Sequence, residues 1–369
     1  MKGRKPVDFW ILYSVLILLA IGTIMVFSSS YYYAQYNMKS DAYFFYRKQI
    51  IMLALGFVAM IITMNYDYRK LGKLSPILLA GTMCLLILVL IPHIGLERNG
   101  AKRWISIAGQ EFQPSEILKY AVILFFSFSL SKRQDKIKNF FNGLLPYLIL
   151  LVFIAGLLVL EPHNSATIII VLVAAILLFC AGAKISHFVM MGVPAVLGMA
   201  VVIFFSPHGR KRVETFLNPL ADPLGSGFQS LQSLYGIGSG GLFGRGLGRS
   251  MQKLLYIPEP YNDFILAVLA EELGFIGVLT VMVLFLILIW RGIKVAMSAP
   301  DFFGSMVAIG ITALISVQVL INVAVVTATI PVTGVPLPFF SYGGTSLVFL
   351  MAGVGVLLNI SRYAKYDRI

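Results

Sequence analysis

Apolar residues in this chain come in long runs. Windows of about 17–25 residues, enough to carry a helix across a bilayer, centre near Leu18, Phe57, Ile87, Ile123, Leu151, Leu172, Leu197, Leu279, Ile315 and Leu350. They predict ten membrane-spanning helices in a single integral membrane domain, 1–369. Only Glu161-Pro162-His163-Asn164 parts the fifth and sixth runs, so the sequence leaves nine or ten open there. Residues 206–263 break the pattern, being mostly polar and rich in Gly and Pro. They end in Pro258-Glu259-Pro260-Tyr261-Asn262-Asp263, directly before the next apolar run. The expected layout is helices 1–7 in 1–205, a large extracellular loop between helices 7 and 8 over 206–263, and helices 8–10 in 264–369.

Composition points the same way. Hydrophobic residues make up 59% of the chain and charged ones 12%, against roughly a quarter charged in a soluble domain, and mean hydropathy is +0.88. An all-α, polytopic membrane protein is the expected fold class. The formal charge of +13 does not imply nucleic acid, because the Lys and Arg are dispersed at the ends of apolar runs. More of them fall on the termini and alternate loops than on the opposite face, which puts both termini in the cytoplasm and the 206–263 loop outside. The run from Phe9 to Phe27 follows Lys2, Arg4 and Lys5 and is too long for a signal-peptide core, so a retained first span is expected. Cys84 and Cys180 each sit alone in an apolar run and are expected to be small buried hydrophobes.

Ionisable groups in or at the ends of spans are costly in hydrocarbon, which makes each a functional candidate. Asp263 stands at the lip of the eighth span. As a helix cap it would accept bonds from the first helical amides; as a carboxylate partly screened from water it would suit a general base. Glu271 and Glu272 point about 80° and 180° away from it and lie roughly 12–14 Å further along the axis. They cannot both share its cavity. Glu271 is expected at a cavity or a helix pairing, and Glu272 against a neighbouring helix.

Glu116 and Lys119, spaced i, i+3 after Gln113-Pro114-Ser115, share one face at the outer mouth of the fourth span. They form a plain ion pair, or else Lys119 holds an anionic headgroup or diphosphate while Glu116 orients it or helps to bind a cation. The stretch 97–105 mixes bases with Trp104 and reads as an interfacial anchor or, through Arg103, as a phosphate-facing rim. Arg210-Lys211-Arg212 places three cations on the outer face, against the usual bias, and points to lipid headgroups or one diphosphate. Gly236, Gly238 and Gly241 fit G-x-G-x-x-G, but no strand precedes them, so a nucleotide fingerprint is excluded. Gln318 and Asn322, one turn apart in the ninth span, suit interhelical hydrogen bonds. The Pro-rich stretch 331–344 cannot be helical throughout; irregular backbone at that depth is buried in protein or lines a cavity.

Several segments together carry a resemblance. They are Ala101-Lys102-Arg103-Trp104-Ile105, Phe112-Gln113-Pro114-Ser115-Glu116 with Lys119, Arg210 to Val213 with Phe216-Leu217-Asn218-Pro219, and Asp222-Pro223 with Gly225, Gly227 and Gln229. Further on come Gly241-Leu242-Phe243-Gly244, Asn262-Asp263-Phe264-Ile265, Glu271-Glu272-Leu273-Gly274, and Pro336-Leu337-Pro338-Phe339 with Ser341-Tyr342-Gly343-Gly344. Over essentially its whole length the chain resembles the SEDS proteins of bacterial cell-wall synthesis, the RodA/FtsW/SpoVE group, and is nearer the FtsW/SpoVE branch. One departure is His163, where many members carry Asp after a proline; no role is carried over to it.

The resemblance implies a peptidoglycan glycosyltransferase of the cytoplasmic membrane that polymerises lipid II at the outer face, for septal or spore cell-wall synthesis. Asp263 is the expected catalytic base. Lys119, Glu116, Arg210, Lys211, Arg212, Arg103 and Ser341 are the expected contacts to lipid II and its diphosphate, with a divalent cation, Mg or Mn, expected near Glu116. The implied partners are undecaprenyl-linked glycan, a class B penicillin-binding transpeptidase and other division or sporulation proteins. A flippase of lipid-linked precursors is the alternative, and a scaffold that only recruits division proteins is a third.

Overall fold

The computed structural model describes residues 6–36, 38, 41–92, 94–98, 101–107, 110–190, 192, 214–221, 227–254 and 256–365. The predicted seventh span near Leu197 and the Arg210-Lys211-Arg212 triplet lie outside the described residues, as does Asp222-Pro223. Among the described residues, nine helices match the other nine predicted spans: α1 (Phe9–Tyr36), α2 (Phe44–Asn65), α3 (Tyr68–Leu90), α4 (Pro114–Lys132), α5 (Leu145–Leu160), α6 (Asn164–Cys180), α8 (Ile265–Met297), α9 (Phe302–Val326) and α10 (Thr345–Ser361). The tenth described helix, α7 (Phe228–Gly240), lies in the stretch expected to be a loop. The four residues between the fifth and sixth runs do separate two helices, with Leu160 ending one and Asn164 opening the next.

Local chemistry sets the helix starts. Asp67 accepts from Arg69 N (3.0 Å) to cap α3, Asp301 accepts from Gly304 N (2.8 Å) to cap α9, and Pro114 opens α4, where its missing N–H costs nothing. Asp263 is not a cap. The helix it precedes has Phe264 at its N-cap with no side-chain bond, because the chain is still turning at Asp263.

The stretch between α3 and α4 carries strands. They form a three-stranded antiparallel meander, β1 (Gly95–Arg98), β2 (Ala101–Ile107) and β3 (Gln110–Phe112), with Leu96 opposite Trp104 and Ser106 opposite Glu111. The register shifts at Arg103, which is left between the Leu96–Trp104 and Glu97–Lys102 pairs, and Ile105 beyond it is buried.

Two helices fix a vertical scale. Near one face Arg291 of α8 donates through Nε to Asp8 Oδ2 (2.9 Å), and Asp8 N donates to Ser361 Oγ (3.1 Å), so the described ends of the chain meet there. About 20 helical residues cross 30 Å of hydrocarbon. That distance, counted up α1 from Asp8 and back along α8 from Arg291, ends near Ser28 and Glu271. The count is supported by contact at that level: Ser28 Oγ donates to Glu272 Oε1 at 2.7 Å. Asp263 lies near the same level, since Asn322, about 20 residues along α9 from Phe302, donates to its carbonyl (2.8 Å).

At the same level α8 breaks. Gly274 has φ +66° and ψ −169° inside the helix, which only glycine adopts without strain. The Gly-rich segment after α7 docks into the break. Phe275 N donates to Gly241 O (2.9 Å) and Ile276 N to Leu242 O (3.2 Å), while Arg245 N and Gly246 N donate to the carbonyls of Glu271 (2.9 Å) and Glu272 (3.0 Å). The backbone groups freed by the break thus find partners in protein, as hydrocarbon demands.

Cys84 and Cys180 correct an expectation, since both are exposed free thiols. A span's outward face is as apolar as its inward one, and composition does not distinguish them.

Candidate functional site

Asp263 lies in the turn that joins the Pro258-Glu259-Pro260 segment to α8. Glu259 adopts φ +47°, and its carboxylate accepts from Asn262 Nδ2 (2.7 Å), closing the turn. Three bonds tie that turn to the rest of the protein. Asn322 of α9 donates Nδ2 to Asp263 O (2.8 Å) and to Val335 O (2.9 Å). Ser341 Oγ donates to Asn262 O (2.6 Å) while accepting from Leu337 N (2.8 Å). Tyr342 N donates to Tyr261 O (2.9 Å). The Pro-rich stretch, irregular as expected, thus forms the wall beside Asp263; a β-carbon on Gly334 would lie 3.8 Å from its Oδ2.

Burial pushes the Asp263 carboxyl up from 3.8 to about 6; a bond from its own backbone opposes the rise, and the charge of Glu259 adds to it. A carboxylate poised there is ionised at neutral pH yet retains real affinity for a proton.

Next to this turn, a cavity is lined by Glu116 and Lys119 of α4, Gln318 of α9, the Pro336–Phe339 backbone, Ser341 and Leu347. The sequence-predicted Glu116, Lys119 and Ser341 therefore share one cavity, and Ser341 bridges it to the Asp263 turn. Lys119 Nζ reaches both carboxylate oxygens of Glu116, at 2.9 and 2.8 Å, with both side chains buried. Such a pair is a local neutral unit whose ammonium is held at the cavity wall. Both Glu116 oxygens accept from the ammonium, and no group of three His, Cys, Asp or Glu that could hold a metal by protein ligands alone is found among the described residues.

Arg103 sits on the turn between α5 and α6, donating to the carbonyls of Glu161 and Pro162. His163 in that turn is buried and lies 3.4–3.5 Å from the amide nitrogen of Gln113. Burial lowers its pKa to about 3, helped by the charges of Arg103 and Lys119. The imidazole is therefore neutral, near the charges of both Arg103 and Lys119. Glu161 is fully buried, with neither carboxylate oxygen hydrogen-bonded; burial raises it to about 8, against the pull of Arg103. Ser165, one turn further, donates to Thr333 O of the irregular wall. The sequence analysis placed Glu161 and His163 between two spans but assigned neither a role. Their signal was the ionisable pair wedged between two apolar runs.

The helix-pairing residues resolve cleanly. Glu271 and Glu272 are fully buried and bonded to the 245–253 segment and to Ser28. The arrangement as a whole offers a base in a dry turn, a cavity beside it and a fixed cation on the cavity wall.

Comparison with known proteins gives a consistent picture. The family described as "Cell cycle protein", FtsW/RodA/SpoVE, matches residues 9–366. "Stage V sporulation protein E" of Bacillus subtilis (strain 168) is 46% identical over 366 residues, covering 99% of both chains. "Probable peptidoglycan glycosyltransferase FtsW" of Geobacter sp. (strain M18) is 42% identical over 362 residues, covering 98% of both. Among solved structures, a chain of "Structural coordination of polymerization and crosslinking by a peptidoglycan synthase complex" superposes with a TM-score of 0.79 at 30% identity, covering 98% of this chain and 99% of that one.

Proposed function

The chain belongs to the FtsW/RodA/SpoVE family, and on that footing we propose that it is a peptidoglycan glycosyltransferase that polymerises lipid II into glycan strands. The observation that carries this reading at the level of chemistry is Asp263, a carboxyl raised to about 6 in a turn that adjoins the Glu116/Lys119 cavity.

In this reading lipid II brings an anionic diphosphate and a long prenyl tail to the cavity at the hydrocarbon edge. Asp263 takes the proton from the 4-hydroxyl of the acceptor N-acetylglucosamine. The freed oxygen attacks the anomeric carbon of the donor N-acetylmuramic acid, and the bond to undecaprenyl diphosphate breaks. Negative charge gathers on the leaving diphosphate, so a cation already fixed in place lowers the barrier. Lys119 supplies it, Arg103 lies on the adjoining turn, and Arg210, Lys211 and Arg212 complete the rim in this proposal. A divalent cation, Mg or Mn, would be held by Glu116 together with the diphosphate and would offset its charge; no step is routed through it.

The site faces outward in this reading, with both termini cytoplasmic, and a class B penicillin-binding transpeptidase is the proposed partner. The structural relative from a peptidoglycan synthase complex that coordinates polymerization and crosslinking supports a partner of that kind. The setting proposed is septal or spore cell wall, in keeping with the sporulation relative. A flippase is not favoured, because the relative at 42% identity bears a glycosyltransferase name. Detergent micelles separate the two, since they have no leaflets to move lipid between. Purified protein that converts labelled lipid II to polymer in micelles is a polymerase; transfer in vesicles without polymer would return the flippase.

A further inference from the structure

Asp263 stands at the apex of an excursion whose two ends are knotted together. The chain leaves the α8 break at Ser250–Lys253, reaches Asp263 after 256–262, and returns along the first turns of α8 to Glu271 and Glu272. At the base Glu271 accepts from Ser250 Oγ (2.6 Å), Met251 N (3.0 Å), Gln252 N (3.2 Å) and Arg245 Nη1 (3.1 Å). Glu272 accepts from Lys253 Nζ (2.8 Å), Ser28 Oγ (2.7 Å) and Ser250 N (3.4 Å). Lys253 Nζ also donates to Ser28 Oγ (3.0 Å). Two carboxylates meet two cations, so the knot is neutral. It lies about 12 Å from Asp263 along the helix, too far to touch the reacting atoms.

We propose that Glu271 and Glu272 are positioning residues for Asp263, setting the position and burial of the base through the knot at the foot of its excursion. The inference rests on the glycosyltransferase reading given above. The Asp263 end has its own ties, through Asn322, Ser341 and Tyr342. The knot anchors the other end, where Ile257 N donates back to Gln252 O (3.0 Å) and the Ile257 side chain enters the core. It is also separable from the fold around it, because the backbone bonds of 241–246 to 271–276 use no side chain of the knot.

The test pairs Glu272→Gln with Lys253→Met, which removes the charge pair without leaving a buried ion unpartnered, and compares it with Glu271→Gln. Turnover of lipid II should fall about tenfold or more, since small misplacements of a base cost rate steeply, with KM within about twofold. The acid limb of the pH profile should move from about 6 toward the ordinary carboxylate value of about 4 as Asp263 meets water. Hydrogen exchange across 254–264 should rise. Unchanged turnover and acid limb would overturn the proposal, as would lower thermal stability with an unmoved acid limb, the mark of a merely structural knot. If the double variant does not fold, Ser28→Ala removes one hydroxyl only and is read by the same exchange and pH profile. A parent protein that forms no polymer defeats the glycosyltransferase reading alone, while exchange across 254–264 still decides whether the knot holds the arm.

Discussion

Asn322 holds Asp263 by the main chain: one amide nitrogen on α9 donates to the carbonyls of Asp263 (2.8 Å) and Val335 (2.9 Å). A single buried side chain thus sets the turn carrying the carboxylate against the irregular wall of the cavity. Replacing it with Leu leaves two inward-facing carbonyls without donors, at about 1–3 kcal/mol each. Asn322→Leu should therefore lower the melting temperature in detergent and reduce polymerisation about 10²-fold. Asn322→Asp should do no better, since a carboxylate cannot donate.

Asp263 must be ionised to accept a proton, so the base form is lost as pH falls through its pKa. With that pKa near 6, kcat/KM should be level above about pH 7 and fall tenfold per unit below about pH 5. Glu259 raises the pKa, so Glu259→Gln should shift the limb downward. A pH series with purified lipid II measures both, and a limb that stays put in Glu259→Gln would separate Asp263 from the titration.

Glu116 and Lys119 form a buried pair, and breaking one partner strands the other. Lys119→Met or Glu116→Gln alone should cost about 3–5 kcal/mol of stability. The double variant, which leaves no lone charge, should recover most of that stability. Its activity should stay low, about 10² or more below the parent, because the cation facing the diphosphate is gone. Thermal unfolding and turnover, measured together, separate the two roles.

Glu161 titrates from 4.5 in the unfolded chain to about 8 in the fold. The folded state therefore holds a proton that the unfolded state releases between those values. Its contribution to stability is complete below about 4.5 and is lost as pH rises toward 8. Glu161→Gln, which mimics the protonated form, should flatten that slope, as melting temperatures between pH 5 and 9 would show.

The spans were legible because hydrocarbon imposes a length on apolar runs, and nine of the predicted ten have described helices at their places. Irregular backbone at 331–344 was legible from its prolines. What escaped the sequence depends on partners distant along the chain. The docking of 241–246 into the α8 break needs two segments about 30 residues apart to meet. The outward faces of Cys84 and Cys180 look no different in composition from inward ones. Asp263 fits the pattern of an N-cap, and only the pull of Asn322 on its carbonyl shows that the helix starts later. Glu161 and His163 read as a short connection until Arg103 and Lys119 arrive from elsewhere in the chain.

The central claim is that Asp263 is the base of a lipid II polymerase, and one assay meets it directly. Purified parent and Asp263→Asn proteins, matched for melting temperature, are given labelled lipid II in detergent, with the products separated by length. Asparagine keeps the shape and loses the basicity, so the parent should form polymer and the variant should fall by about 10²–10⁴-fold. Polymer at the parental rate from Asp263→Asn would contradict the account.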